Sequence, residues 1–368
     1  MPKEEPKYRK LLMTLKTSIL AGRYGEGNPF PSIKALMLRS GLSKNTVLHA
    51  LDELASQGLI ARTQGKTSAV TKIAANRAIG LILPGLLPYG DYFSLVVNEL
   101  VRLSQEDGFD LLIGNSQSAT VRGREKDTRA IVADFVKRKV AGVIYQPLQY
   151  KDESYRENTK LLSELTRAKI PVVLLDSDVL PPPAHSPYDL VTIDNVDAGE
   201  RLANHLLESG AKNVHFLMRP EWFPTVLKRK RGVMCAVLSH GLKWSESANV
   251  LMARPEDRTA VRRHLRKRPR PDAFICENDA AAIALAQTLA DLGVRVPDDV
   301  MLAGFSDIPR ASLLKPSLTT IRQPSVKIAE TAFRRLLDRI VHPDLAPVCI
   351  SMQAPLVVRD STRRRDSK

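Results

Sequence analysis

Residues 271–307 read PDAFICENDAAAIALAQTLADLGVRVPDDVMLAGFSD. AFIC (273–276) and VMLAGF (300–305) are apolar runs of strand length, and AAAIALAQTLADLG between them is a helical segment. Strand, helix and strand in this order form a βαβ unit whose two strands lie parallel in one sheet. The same texture recurs outward from this stretch, in IGLIL (79–83), DLLIG (110–114), AGVIY (141–145), PVVLLD (171–176) and VHFLM (214–218). Continuous Val/Ile/Leu runs of this kind are expected of a parallel sheet covered on both faces. About ten such units exceed what one doubly wound sheet usually holds, so two α/β lobes are predicted.

The 368 residues suit two or three compact units. The formal charge is +15, which points to a polyanionic partner, most often nucleic acid. The charge is uneven. Residues 1–72 hold twelve Lys/Arg against five Asp/Glu, a net +7 in a fifth of the chain. Cys235, Cys276 and Cys349 are far apart and have no metal-site spacing, so neither a bound metal nor a cofactor is expected. No secretory leader or uninterrupted apolar span is visible, so a cytoplasmic protein without membrane association is expected.

Residues 1–72 read as three helices and a hairpin. Leu11, Leu12, Leu15, Ile19 and Leu20 give the first helix (8–21) one apolar face, and Gly22 stops it. Ser32 caps a second helix, IKALMLRS, which Gly41 ends, and Ser43 caps a third, KNTVLHALDELASQ, which Gly58 closes. LIART (59–63) and TSAVT (67–71) flank Gln64-Gly65-Lys66 as a small wing. A capped helix following a short Gly-containing turn is a helix-turn-helix. Its last helix presents its first turn to base edges in the major groove, which brings Lys44, Asn45, Thr46 and His49 there. Lys donates to guanine and Asn pairs with adenine. Lys34 and Lys66 suit phosphates, which set affinity and not sequence. A three-helix interaction module with merely solvated lysines is the alternative.

The order Tyr8…Leu11…Leu15…Ile19, Pro31-Ser32…Leu36…Gly41-Leu42-Ser43-Lys44-Asn45-Thr46-Val47, Gly58-Leu59-Ile60 and Gln64-Gly65-Lys66 resembles the GntR-type winged helix over residues 8–70. The resemblance implies DNA contacts from Lys34, Ser43, Lys44, Thr46, Gln64 and Gly65. Lys34 and Lys44 stand where the family often has Arg, and Leu48 where many members carry a contacting Arg. Lys lacks the bidentate fork of Arg. The operator is therefore expected to be this chain's own.

After a linker at 73–78, ligands of a parallel sheet bind beyond the carboxyl ends of the strands. There the sequence places Tyr89, Asp91, Tyr92 and Phe93, then Asp176, then Arg219, Glu221 and Trp222, then Glu277, Asn278 and Asp279, then Ser306 and Asp307. Planar polar groups beside aromatic faces suit a hydroxyl-rich ligand. Structural alternatives stand beside these: Asp279 as a helix cap, Trp222 as packing, Asp176 as a strand end. The stretches AIGLILPG, VAGVIY, VVLLDSD, TIDNVDAGERLANHLLESGAKNV, Arg229-x-x-Gly232, PSLTTIRQP and LVVRDST resemble the LacI-type effector domain, which shares the periplasmic-binding-protein fold, over 78–362. The resemblance implies lobe 1 at about 79–189 and 322–344 and lobe 2 at about 193–318 and 347–362, followed by a tail at 363–368. Crossovers are implied near 188–194, 318–323 and 343–348. It also implies effector contacts from Phe93, Asp176, Arg229 and Asn278. Ser306 departs from the Asp usual in sugar-binding members, so Asp307 or Glu277 is expected to supply the acceptor, or the ligand differs. Lys228 and Lys230 beside Arg229 would favour a sugar acid or phosphate, although exposure to solvent is the expected state of both.

Together these features predict a homodimeric repressor that binds duplex operator DNA and answers to a small effector, a sugar or sugar derivative, between two lobes. A nucleoside effector is the alternative. A periplasmic binding protein leaves residues 1–72 unexplained. An enzyme lacks support, since no G-x-G-x-x-G after the first strand, P-loop, G-x-S-x-G or H-E-x-x-H is present.

Overall fold

The computed structural model describes residues 7–20, 23–24, 29–56, 58–62, 67–70, 77–83, 85, 92–116, 118, 120–148, 152–180, 184–220 and 223–363. The head comprises α1 (Lys7–Leu20), α2 (Ile33–Ser40), α3 (Lys44–Ser56), β1 (Ile60–Ala61) and β2 (Ala69–Val70). Its core is the apolar stripe of α1 (Leu12, Leu15, Ile19) packed on Leu36 and on Val47, Ala50, Leu51 and Leu54 of α3. Ser32 accepts from the Ala35 N–H at 3.2 Å, and Gly41, at φ 67°, returns its N–H to the Met37 carbonyl. β1 and β2 pair antiparallel, Ile60 opposite Val70. Gly22, the wing tip Gln64-Gly65-Lys66 and most of the expected linker lie outside the described residues; Ala78, the linker's last expected residue, already belongs to a strand.

The rest is built from β3 (Ala78–Leu83), α4 (Tyr92–Asp107), β4 (Asp110–Asn115), α5 (Val121–Arg138), β5 (Gly142–Tyr145), α6 (Asp152–Arg167), β6 (Val172–Leu175) and β7 (Asp189–Ile193), then α7 (Asn195–Glu208), β8 (Val214–Met218), α8 (Pro224–Ser239), α9 (Glu246–Asn249), β9 (Val250–Met252), α10 (Arg258–Leu265) and β10 (Ala273–Cys276). There follow α11 (Asp279–Asp291), β11 (Met301–Ser306), α12 (Pro309–Leu313), β12 (Thr319–Arg322), α13 (Ser325–Val341), β13 (Cys349–Met352) and β14 (Leu356–Val357). Two six-stranded sheets result, in the orders β13-β7-β6-β5-β3-β4 and β14-β12-β11-β10-β8-β9. Among these pairings only β12 with β14 is antiparallel.

The chain crosses between the sheets at 194, at 323–324 and at 353–355. The last of these differs from expectation: β13 joins the first sheet, beside β7 (189–193), instead of the second lobe, so the crossover falls at 353–355 and not at 343–348. The cause is a buried anion. The Asp189 carboxylate accepts from Arg335 Nε (2.9 Å), Arg339 Nε (2.7 Å) and the Val348 N–H (2.8 Å), which fastens the chain before β13 to the edge of β7.

Within the second lobe α7 and α8 touch through their backbones. A Cβ on Gly199 would lie 2.1 Å from the Arg229 carbonyl oxygen, and one on Gly232 2.0 Å from that of Val196. Only glycine permits this approach, and it carries Arg229 over Asn195. Outside this contact the lobe buries two histidines against each other, His215 Nδ1 and His264 Nε2 being 2.8 Å apart. Burial lowers both pKa values, to about 4 and about 3. A histidine depressed in the folded state takes its proton preferentially when unfolded. Its contribution is therefore complete above pH 6.5 and is lost as pH falls toward 4. Each ring should lower stability by up to about 1.4 kcal/mol per pH unit in that window. Melting temperatures between pH 7 and 5 check this, and a His215→Phe/His264→Leu variant should flatten the slope.

Candidate nucleic-acid interface and effector cleft

Burial of Val47, Ala50, Leu51 and Leu54 turns the other face of α3 outward, so Lys44, Asn45 and His49 are exposed beside Lys34 of α2. Ser43 caps α3: its Oγ accepts from the Thr46 N–H at 3.3 Å and lies 2.8 Å from the Thr46 hydroxyl. The His49 ring meets Tyr8 of α1 edge-on, centroids 4.2 Å apart, so it also steadies the helix pair. Leu48 is half-buried. An ion pair between Arg62 and Asp52 holds the hairpin base to α3. The head meets the first lobe through Lys16, 4.0 Å from Asp107, whose other oxygen accepts from Arg334 at 2.8 Å.

In the second site Arg229 is the hub. It is 5% exposed, donates from Nε to Asn195 Oδ1 and from Nη1 to the Glu277 carbonyl (both 2.8 Å), and lies 4.8 Å over the Phe305 ring. Asp176 and Tyr92 of the first lobe act on its charge, so the two lobes face each other here. Burial raises the Asp176 carboxyl, while Arg229 and then Lys228 pull it down. Burial also pushes the Tyr92 hydroxyl well up, with the Asp176 charge adding to it. Phe93 packs edge-on to Tyr92, centroids 5.0 Å apart.

Three residues here hold left-handed backbone without being glycine: Asp176 (φ 71°), Ser306 (φ 127°) and Asp307 (φ 55°). Such strain persists only where the surroundings over-determine it, and it concentrates at ligand sites. Asn278, not Asp279, caps α11, its Oδ1 accepting from the Ala281 N–H at 2.9 Å, which leaves its amide donors available. Asp279 is buried beneath Gly304 and accepts from Thr320 Oγ1 (2.6 Å) and the Ile308 N–H (3.0 Å); burial raises its carboxyl to about 6. Ser306 accepts from Gln323 Nε2 at 2.9 Å, and Gln323 Oε1 is buried without a partner.

Asp307, an expected effector acceptor, is engaged within the protein. Its carboxylate is taken by Arg322 and Arg359, both at 2.6 Å, because both guanidinium groups converge on it from the last crossovers. Glu277 is likewise engaged by the Arg219 N–H at 3.0 Å. Lys230 pairs with Glu246 at 2.6 Å and Lys228 acts on Asp176, so neither simply faces solvent as expected. Trp222 lies outside the described residues. Tyr92, one of the expected loop aromatics, begins α4 and faces Arg229 and Asp176, whereas sequence reasoning misses Gln323, whose signal is its place on a crossover. No helix among the described residues is long and apolar enough to cross a membrane, and none of their acidic, His and Cys side chains form a metal cluster.

A basic helical head is joined here to a two-lobed domain whose lobes face each other at Arg229, Asp176 and Tyr92. Residues 7–70 match the sequence model of bacterial regulatory proteins of the gntR family, and residues 203–362 match that of the periplasmic binding protein-like domain. The arabinose metabolism transcriptional repressor of Geobacillus stearothermophilus is 26% identical over 97% of this chain and 98% of its own. The HTH-type transcriptional repressor PurR of Mannheimia succiniciproducens is 27% identical over 88% of this chain and 90% of its own. The transcriptional regulator CelR–cellobiose complex superposes with a TM-score of 0.67 at 22% identity, over 94% of this chain and 98% of its own. The chain is thus similar to transcription regulators: its head matches the gntR family over 7–70, its second half matches the periplasmic binding protein-like domain over 203–362, and both relatives are named as transcriptional repressors.

Proposed function

We propose that the protein is a cytoplasmic homodimeric repressor whose α3 helices read operator half-sites, and that a sugar or sugar derivative bound between the lobes alters operator affinity. The observation that carries the second half is Arg229, a buried cation shared between the lobes with Asp176 and surrounded by strained backbone. Arg229, the free Asn278 amide and the unpartnered Gln323 oxygen offer directional hydrogen bonds to hydroxyls. The named activities of the arabinose repressor and the cellobiose complex belong to those proteins and support a carbohydrate here. The effector shifts operator affinity only by the difference in its own affinity for the two lobe arrangements.

The test is a thermal-shift screen with pentoses, hexoses, uronic acids, sugar phosphates and nucleosides. A true effector raises the melting temperature with the logarithm of its concentration. A shift by nucleosides alone would overturn the carbohydrate reading. For the head, Lys44→Ala should weaken binding to an operator selected from random duplexes by about 1–3 kcal/mol, roughly 5- to 150-fold. His49→Ala should weaken it also, with a small drop in melting temperature because the ring no longer braces Tyr8. Anisotropy titration that finds unchanged affinity and sequence preference for both variants refutes the assignment.

A further inference from the structure

The head accounts for +7 of the net +15, which leaves +8 for the rest of the chain. Residues 254–270, RPEDRTAVRRHLRKRPR, carry eight basic against two acidic side chains and so supply +6 of that remainder. The concentration lies on α10 and the turn after it, in the second lobe. Asp257 caps the helix by accepting from the Thr259 and Ala260 N–H groups, and the buried face is Ala260, Val261, His264 and Leu265. That orientation sends Arg262 and Arg263 outward, joined by exposed Arg266 one turn on.

Not every cation here is free. Arg258 pairs with Asp291, and Lys267 donates to the Ser247 and Ala248 carbonyls. Arg262, Arg263 and Arg266 make no ion pair among the described residues. Arg262 and Arg263 stand in the last turn of α10 and Arg266 at its C-cap, so three guanidinium groups gather at one helix end. Burial, and then the charge of Arg263, lowers the Lys267 ammonium.

We infer that Arg262, Arg263 and Arg266 form a second duplex-DNA contact, which grips phosphates of a DNA segment other than the one read by the head. Seven of the eight cations are arginine, whose planar fork matches phosphate oxygens in pairs. The site is an exposed helix face, not a pocket, which fits a continuous polyanion and not a small anion. The head touches the first lobe, through Lys16 and Asp107, whereas α10 belongs to the second. A duplex already held by the head is the polyanion at highest local concentration, and the patch would bind a neighbouring stretch of it or another duplex.

The experiment uses the full chain and a random-sequence duplex of about 40 base pairs, four helical turns. Arginine-selective phenylglyoxal labelling is read by peptide mass spectrometry with and without the duplex. Several-fold protection of the peptides that carry Arg262, Arg263 and Arg266 is expected. The R262Q/R263Q/R266Q variant should melt at the wild-type temperature, and its log-affinity against log-salt slope should fall by about 2–3 units, near 0.9 for each phosphate no longer neutralised. Equal labelling with and without duplex, or an unchanged slope, overturns the inference. So does protection by phosphatidylserine vesicles without protection by duplex. Exposed Arg39 of α2 reports on the head separately. If Arg39 is protected and the patch is not, the inference fails while the head reading stands; the converse pattern does the reverse.

Discussion

Arg229→Met is expected to abolish the effector-induced rise in melting temperature while leaving duplex binding by the head in place. Methionine keeps much of the apolar stem and its packing on Phe305, but it donates to neither Asn195 nor the Glu277 carbonyl. Both acceptors are buried, and each buried group left unsatisfied costs about 1–3 kcal/mol. Asp176 loses the stronger of the two cations that favour its charged form, so its carboxyl rises further. The variant therefore binds the effector with fewer donors and a weaker acid. The measurement is a thermal-shift titration of wild type and variant with the ligand that emerges from the screen. A shift of wild-type size in the variant would show that the ligand sits elsewhere.

Asp189→Ala is expected to cost about 3–5 kcal/mol, the usual result of removing one partner from a buried ion pair. The geometry is demanding: Asp189 is fully buried, and the Arg335 and Arg339 side chains are only 15% and 11% exposed. Alanine strands two guanidinium groups. They also tie the turn at 342–348, since Arg339 donates to the Pro343 carbonyl and Arg335 to the Ala346 carbonyl. At roughly 2 °C or more per kcal/mol for a domain of this size, the melting temperature should drop by at least about 6 °C. Limited proteolysis should then cut first near 342–348. A drop of less than about 1 kcal/mol by denaturant titration would mean the arginines find water instead.

The runs at 79–83, 214–218, 273–276 and 300–305 became strands within a residue of their expected ends, because strands buried on both faces need uninterrupted apolar side chains. β9, β13 and β14 lacked that signal. They are two to four residues long and half-exposed at or near sheet edges, where polarity is tolerated. The helix caps Ser32 and Ser43 were legible since they act within three residues. What was not legible depended on distant pairings. That Asp307 is paired with Arg322 and Arg359, 15 and 52 positions away, is not visible in its local sequence. Asp279 and Asn278 are neighbours with similar capping propensity, and the approach of Thr320 and of the Ile308 N–H, both distant in sequence, turns the aspartate inward.

The glycine pair Gly199 and Gly232 has a mechanical consequence. Where two helices meet backbone to backbone there is no side chain to change rotamer and absorb a displacement. A push on Arg229 by a ligand is passed to α7 without slack, and α7 begins one residue after the first crossover. The second lobe then turns as a solid lever, and the compliance of the effector domain is left to three short pieces of chain at 194, 323–324 and 353–355. A substitution that enlarged either glycine would loosen the lever before it closed the cleft.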